Sequence, residues 1–189
     1  YRHKILRSLS NCGRCVAPRL QISSARMTQL QNQLNSSPRR VALIANGLAG
    51  ARQASTWVER AHKELWGYDL ETYFPTSGSE LQELCKKFSS KDYAATIVIG
   101  GDGTQNQAIQ GRWQTTDLAP LYSFPGGTAN DLASQLGLHP SLEQAQRLLD
   151  TRQSTQIDLI SVNGTPFSTV AGIGIGAALT QAINDTRRS

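Results

Sequence analysis

The chain of 189 residues is long enough for one domain of ordinary size and the start of another. With 39% hydrophobic and 17% charged residues it reads as globular, and no apolar run approaches the roughly 20 residues a membrane-spanning helix needs, so any membrane contact is peripheral. The formal charge of +5 does not indicate a nucleic-acid surface: residues 1–40 hold eight of the 19 Lys and Arg and none of the 14 Asp and Glu, which leaves the rest mildly acidic.

Residues 1–38 are rich in Arg, Ser, Asn and Gln, have neither a helical nor a strand period, and are expected to be a disordered basic leader. Such an acid-free, Arg-rich stretch suits a mitochondrial transit peptide. It equally suits upstream sequence foreign to the domain, which we favour because the only methionine, Met27, stands just before the folded pattern begins. The expected location is accordingly the cytoplasm, peripheral at a membrane, with the mitochondrion as the alternative. Cys12 and Cys15 form a lone CxxC with no second pair at finger spacing, so zinc is not expected.

From Val41 the pattern changes. Val41–Ala45 is a continuous apolar run, as in a strand buried on both faces, and it ends in the turn Asn46-Gly47-Leu48-Ala49-Gly50. A helix is expected over Ala54–Leu65, with Trp57, Val58, Ala61 and Leu65 on its apolar side. Leu70–Phe74 reads as a strand stopped by Pro75-Thr76-Ser77-Gly78. Ser77 with Glu80, or Ser79 with Gln82, then starts a helix through a capping box, with Leu81, Leu84, Cys85 and Phe88 facing the core. Ala94–Ile99 is a third buried strand, followed by a helix through Asn106, Ala108 and Ile109. Leu121–Phe124 is a fourth strand, and Ser141–Leu149 a further amphipathic helix. Ile157–Val162 and Phe167–Ala171 flank Asn163-Gly164, a hairpin signal that Thr165 and Pro166 lengthen.

Alternating strands and helices imply an α/β fold, an open, mostly parallel sheet with helices on both faces. The expected domains are a nucleotide-binding unit over 40–155 and the truncated start of a β-rich unit over 156–189. His3, His62 and His139 lack metal spacing, and Trp57, Trp66 and Trp113 are too scattered for a base-stacking platform.

Two strand ends carry the chemistry. Ile97-Val98-Ile99 runs into Gly100-Gly101-Asp102-Gly103-Thr104, and glycines let backbone N–H groups approach phosphate oxygens at a helix start. Asp102 there suits binding Mg²⁺ against phosphate or polarising an attacking hydroxyl, with helix capping as the plainer role. Pro125-Gly126-Gly127-Thr128-Ala129-Asn130-Asp131 repeats the arrangement, Thr128 offering a hydroxyl and Asn130 or Asp131 a helix cap. Neither the GxxxxGK[ST] phosphate loop nor a dinucleotide GxGxxG is present. In an open α/β sheet both loops would face one crevice.

GGDGT at 100–104, PGGTANDLA at 125–133 and the strand ending in Asn46-Gly47 resemble the diacylglycerol kinase catalytic domain, most nearly the bacterial YegS-like lipid kinases, with sphingosine and ceramide kinases as relatives. GGDGT also occurs in NAD kinases, and the PGGTANDLA segment favours the lipid kinases. The resemblance implies transfer of the γ-phosphate of ATP to a lipid hydroxyl with Mg²⁺. It implies nucleotide contacts from Asn46, Gly100, Gly101, Gly103, Thr104, Gln105, Asn106, Gly127, Thr128 and Asn130, with Asp102 as the catalytic and metal-binding carboxylate. Family members carry a threonine before the second helix as a further contact. Its equivalent here is Phe74, which leaves Thr76 or Ser77 to substitute. Gln107 replaces a usual glutamate, and Asp158 matches a recurrent aspartate of structural role. The family's second lobe shapes the lipid cleft and supplies a proposed general base and, in YegS-like members, a structural metal site. Only its opening hairpin falls within this chain, so nucleotide binding without efficient transfer is the expectation for the chain alone.

Overall fold

The computed structural model describes residues 2–5, 39–46 and 51–169. Its strands are β1 (Arg2–Ile5), β2 (Arg40–Ala45), β3 (Asp69–Tyr73), β4 (Tyr93–Gly100), β5 (Leu121–Pro125), β6 (Thr155–Asp158), β7 (Ile160–Val162) and β8 (Thr165–Phe167). The helices are α1 (Ala51–Glu64), α2 (Gly78–Cys85), α3 (Asp102–Arg112), α4 (Asp131–Gln135) and α5 (Leu142–Thr151). The main sheet runs β3-β2-β4-β5-β1-β6, parallel throughout except for β6, which lies antiparallel to β1.

The apolar runs form the centre of that sheet for the expected reason: Val41–Ala45 and Ala95–Ile99 are buried without interruption because both faces are covered. Register places Ile44, Val98 and Ser123 on one face, and Ala45, Ile99 and Phe124 on the other. On the second face Trp57 of α1 meets Phe124 edge-on at 4.9 Å, and on the first Phe88, just past α2, packs on Tyr73 and Tyr93 at 5.2 and 4.9 Å. Each such large side chain taken fully out of water contributes about 1.5–3 kcal/mol. Cys85 is fully buried, as its helical stripe required. Helices α2 and α3 touch backbone to backbone, since a Cβ on Gly111 would lie 2.4 Å from the Gln82 carbonyl oxygen.

Helix caps follow the sequence signals. Ser77 Oγ accepts from Glu80 N–H at 3.1 Å at the start of α2, and Ser141 Oγ from Gln144 N–H at 3.2 Å at the start of α5. The carboxylate of Glu80 reaches back to the N–H and hydroxyl of Thr76, at 2.7 and 2.8 Å.

Three expectations need correction. The leader is not disordered at its start: Arg2–Ile5 pair with β5 and β6, where neighbouring strands supply the hydrogen bonds that no local pattern announces. Ile157–Val162 is not one strand. Leu159 packs against the core between β6, which stays in the main sheet, and β7, which leaves it for a separate pair with β8. The hairpin connection is Asn163-Gly164 alone, with φ of 50° and 80°, the two-residue turn that suits strand twist, and Thr165 and Pro166 belong to β8. The rest of the leader, including Cys12, Cys15 and Met27, lies outside the described residues, as do the loop 47–50 and the segment from Val170 with its glycine run.

Candidate functional site

The chain leaves β2 through α1 towards β3 on one side, and leaves β4 through α3 towards β5 on the other, with α1 and α3 on opposite faces. The strand order therefore reverses between β2 and β4, and a crevice opens there beyond the carboxyl ends of the strands. Asn46 closes the end of β2, with its N–H donating to Ile99 O at 3.3 Å. Its side-chain amide donates to Thr104 Oγ1 across the reversal at 2.8 Å.

The two glycine loops lie one upon the other. Gly126 N–H donates to Gly100 O at 3.1 Å, continuing the sheet past the strand ends. A Cβ on Gly127 would fall 2.5 Å from Gly101 Cα, so no residue with a side chain fits that contact without moving backbone. Asn130, at φ 55°, holds Gly127 from both sides: Oδ1 accepts its N–H at 2.9 Å and Nδ2 donates to its carbonyl at 2.7 Å. The sequence offers Asn130 or Asp131 as the side-chain cap of α4, but Asn130 stands at the cap position with its side chain turned to Gly127. That role falls to Asp102, whose Oδ1 accepts Leu132 N–H at 3.3 Å from the other loop. Asp102 thus ties the start of α3 to the start of α4. No side chain caps α3 at Gly101, so the partial positive charge of its N-terminus faces the crevice.

Gly103 and Thr128 are exposed on the rim, whereas Thr104 is nearly buried over Gly100. Gln105 stands apart from the other candidates. It is 3% exposed, and its Nε2 donates to Val98 O at 2.8 Å, with longer reaches to the Gly100 and Phe124 carbonyls at 3.3 and 3.4 Å. It clamps both strand ends from behind and does not reach into the crevice. Asn106 is half-buried, with Oδ1 enclosed. Thr76 is committed to Glu80, which makes it part of the α2 cap, and Phe74 is exposed. Gln107 Oε1 accepts from Gln82 Nε2 at 2.6 Å, and the same amide reaches Gln110 at 3.1 Å, whose own amide donates to Pro166 O at 3.3 Å. Gln107 therefore joins α3 to α2, and Gln110 carries the same chain of amides on to the hairpin, which their positions in the sequence did not reveal.

Among the described residues no three His, Cys, Asp or Glu side chains gather, so no ready-made metal cage exists. A single carboxylate with one oxygen spent on Leu132 N–H suits Mg²⁺ nonetheless, because that ion is commonly held by one or two carboxylates together with substrate phosphates and water.

A family model described as the diacylglycerol kinase catalytic domain matches residues 40–162. Proteins of Staphylococcus haemolyticus and Streptococcus pneumoniae, both bearing the name "Putative lipid kinase", are similar to the chain. The first is 26% identical over 113 residues, covering 58% of this chain and 37% of that protein, and the second 28% over 146 residues, covering 76% and 48%. A solved structure of a diacylglycerol kinase from Bacillus anthracis superposes with a TM-score of 0.58 at 28% identity, covering 68% of this chain and 45% of that one. The chain thus spans between a third and a half of the length of these relatives.

Proposed function

The chain belongs to the diacylglycerol kinase catalytic domain family, and from that premise we propose that it forms the nucleotide-binding part of an ATP-dependent kinase acting on a lipid hydroxyl. The observation that carries the reading is the seating of Gly101 on Gly127 at the strand-order reversal, with Asp102 bridging the two loops. Two glycine-rich strand-end turns, stacked beside a helix N-terminus, offer backbone N–H groups to a chain of phosphate oxygens.

Phosphoryl transfer depends on positioning and on neutralising charge over the transferred oxygens. Gly100, Gly101, Gly103 and Gly127 would line the triphosphate with backbone donors, and Thr128 would add a hydroxyl. Asn46, Thr104, Gln105 and Asn130 hold those loops in place through the hydrogen bonds described above. Mg²⁺, held by Asp102 and the phosphates, would supply charge neutralisation. Asp102 is also the group available to polarise the acceptor hydroxyl. The hairpin β7–β8 would open a β-rich acceptor lobe that completes the lipid cleft, with the protein cytoplasmic and peripheral at the bilayer. Among the described residues no helix is long and apolar enough to cross a membrane.

The decisive substitution is Asp102→Asn. The new amide oxygen still accepts Leu132 N–H, so the loop junction survives while the charge is lost. Phosphorylation of mixed lipids by the intact enzyme should fall about 10³-fold with an unchanged circular dichroism spectrum, and retained turnover refutes the assignment. Running the same assay with NAD as acceptor separates this reading from an NAD kinase. One observation favours a second reading, nucleotide binding without transfer: Gln107, at the position where the family resemblance implies a glutamate, carries no charge and is engaged by Gln82. Tight ATP binding by an intact protein that phosphorylates neither acceptor would select it.

A further inference from the structure

Four large apolar side chains are exposed among the described residues: Trp66, Phe74, Ile160 and Val162. Trp66 lies between α1 and β3, at the amino end of the sheet, and Ile160 and Val162 are on the hairpin strand β7. Phe74 alone stands at the carboxyl rim. Ile44 pairs with Tyr73, so the register brings Phe74 level with Ala45, one residue short of Asn46. It is 54% exposed, while the next residue, Pro75, is buried.

The backbone that carries the ring is constrained by its neighbours. A residue before proline is confined to extended backbone, which fixes the direction of the Phe74 Cβ. Two residues on, both the N–H and the hydroxyl of Thr76 are bound by Glu80. An aromatic ring half in water adds little to the core on its wet side, yet the backbone beneath it is constrained on its carboxyl side by Pro75 and the Thr76–Glu80 bonds. Among the described residues, the rest of the rim offers glycine backbone, the amides of Asn46 and Asn130, hydroxyls and the Asp102 carboxylate. Those groups suit phosphate, metal and ribose, and none of them gives a flat base a large apolar surface.

We infer that Phe74 is the platform on which the base of a purine nucleoside triphosphate stacks, which makes it a specificity-determining residue of the rim. The inference rests on the reading of that rim as a nucleotide site. Stacking needs only a π-face on the base, so ATP and GTP should bind alike, and a pyrimidine triphosphate, with its smaller face, more weakly.

The test measures Kd by calorimetry for Mg·ATP and for Mg·tripolyphosphate, which has the phosphates and no base, with the unsubstituted chain, Phe74→Ala and Phe74→Trp. Phe74→Ala should weaken ATP about tenfold and leave tripolyphosphate unchanged, and Phe74→Trp should keep ATP affinity. The proposal is overturned if Phe74→Ala binds ATP as the unsubstituted chain does. It is equally overturned if that variant loses ATP and tripolyphosphate together, since the ring would then only support the rim. An unsubstituted chain that binds neither ligand removes the nucleotide reading itself, an outcome distinct from either of the others.

Discussion

The two ends of the main sheet are built from different material. At the carboxyl end the contacts are backbone on backbone, Gly101 against Gly127 and Gly126 on Gly100, with side chains such as Gln105 bracing them from beneath. At the amino end side chains do the joining. Glu71 accepts from Tyr93 OH at 2.7 Å, Tyr73 OH at 3.0 Å and Arg40 Nε at 2.6 Å. Gln146 takes Trp66 N–H on Oε1 at 3.0 Å and donates from Nε2 to Trp66 O and Asp150, fastening α5 to the start of β3 across 80 residues of sequence. Arg112, buried there with its guanidinium donating to Ala119 O, is pulled down to about 10 by desolvation. A rim built on glycine backbone leaves room for a ligand, whereas the foot is fastened by polar side chains that reach one another and the backbone.

If that division is real, damage at the rim should remove binding with little loss of stability, and damage at the foot should do the reverse. The largest effect belongs to Gly127→Val. Its Cβ would meet Gly101 Cα at 2.5 Å, so one loop must shift by a substantial fraction of an ångström. A displacement of that kind is expected to weaken Mg·ATP binding by about 100-fold. The core below does not touch this residue, so the far-UV spectrum should be unchanged. Calorimetry beside circular dichroism checks both halves, and tight ATP binding by Gly127→Val would mean that the close loop contact is unrelated to the ligand.

The foot supplies the intermediate effect. Hydrogen bonds from Tyr93 first, then Arg40 and Tyr73, hold the Glu71 carboxyl below the ordinary glutamate value of 4.5. A folded value below the unfolded one means that the stabilisation is complete above about pH 4.5 and is lost as the pH falls through the folded value. Glu71→Gln removes the charge and keeps the shape. The side chain is one-third exposed, so the cost near pH 7 is discounted to about 1 kcal/mol, or roughly 3 °C in Tm. The gap between the two proteins should narrow as the pH falls below about 4.5 and through the lower folded value, because protonated Glu71 is as neutral as Gln. A gap that stays constant from pH 7 to pH 3 would remove the carboxylate from the account, and ATP affinity should not change at any of these pH values.

These two regions were unequally legible in the sequence. Val41–Ala45 and Ala94–Ile99 announce buried strands through unbroken apolar runs, and the glycine turns that follow mark the rim directly. What could not be read there depends on partners distant along the chain. Arg2–Ile5 has no strand pattern of its own and is a strand because β5 and β6 flank it. Gln105 looked like a phosphate-loop neighbour, yet it turns inward because the carbonyls of Val98, Gly100 and Phe124 converge beneath it. Asp102 meets Leu132 across 30 residues, and Gln107 meets Gln82 across 25. Local patterns report burial and turning, whereas the pairing of polar groups is settled only when the sheet brings them together.

Ser77 sharpens the comparison, because it stands at the rim and is wired like the foot. It follows the carboxyl end of β3, close along the chain to Phe74, but its hydroxyl accepts Glu80 N–H as the cap of α2. The preceding Thr76 is spent on the Glu80 carboxylate, so this corner has its own internal partners. Ser77→Ala should therefore behave as a lost cap, costing about 1 kcal/mol and 2–4 °C in Tm. Pro75 and the Thr76–Glu80 bonds remain to hold Phe74 in place, so ATP affinity should stay within twofold. A variant with unaltered Tm and tenfold weaker ATP binding would show that polar side chains at this corner reach the ligand. The rim would then be defined by position along the strands, and not by its glycine backbone.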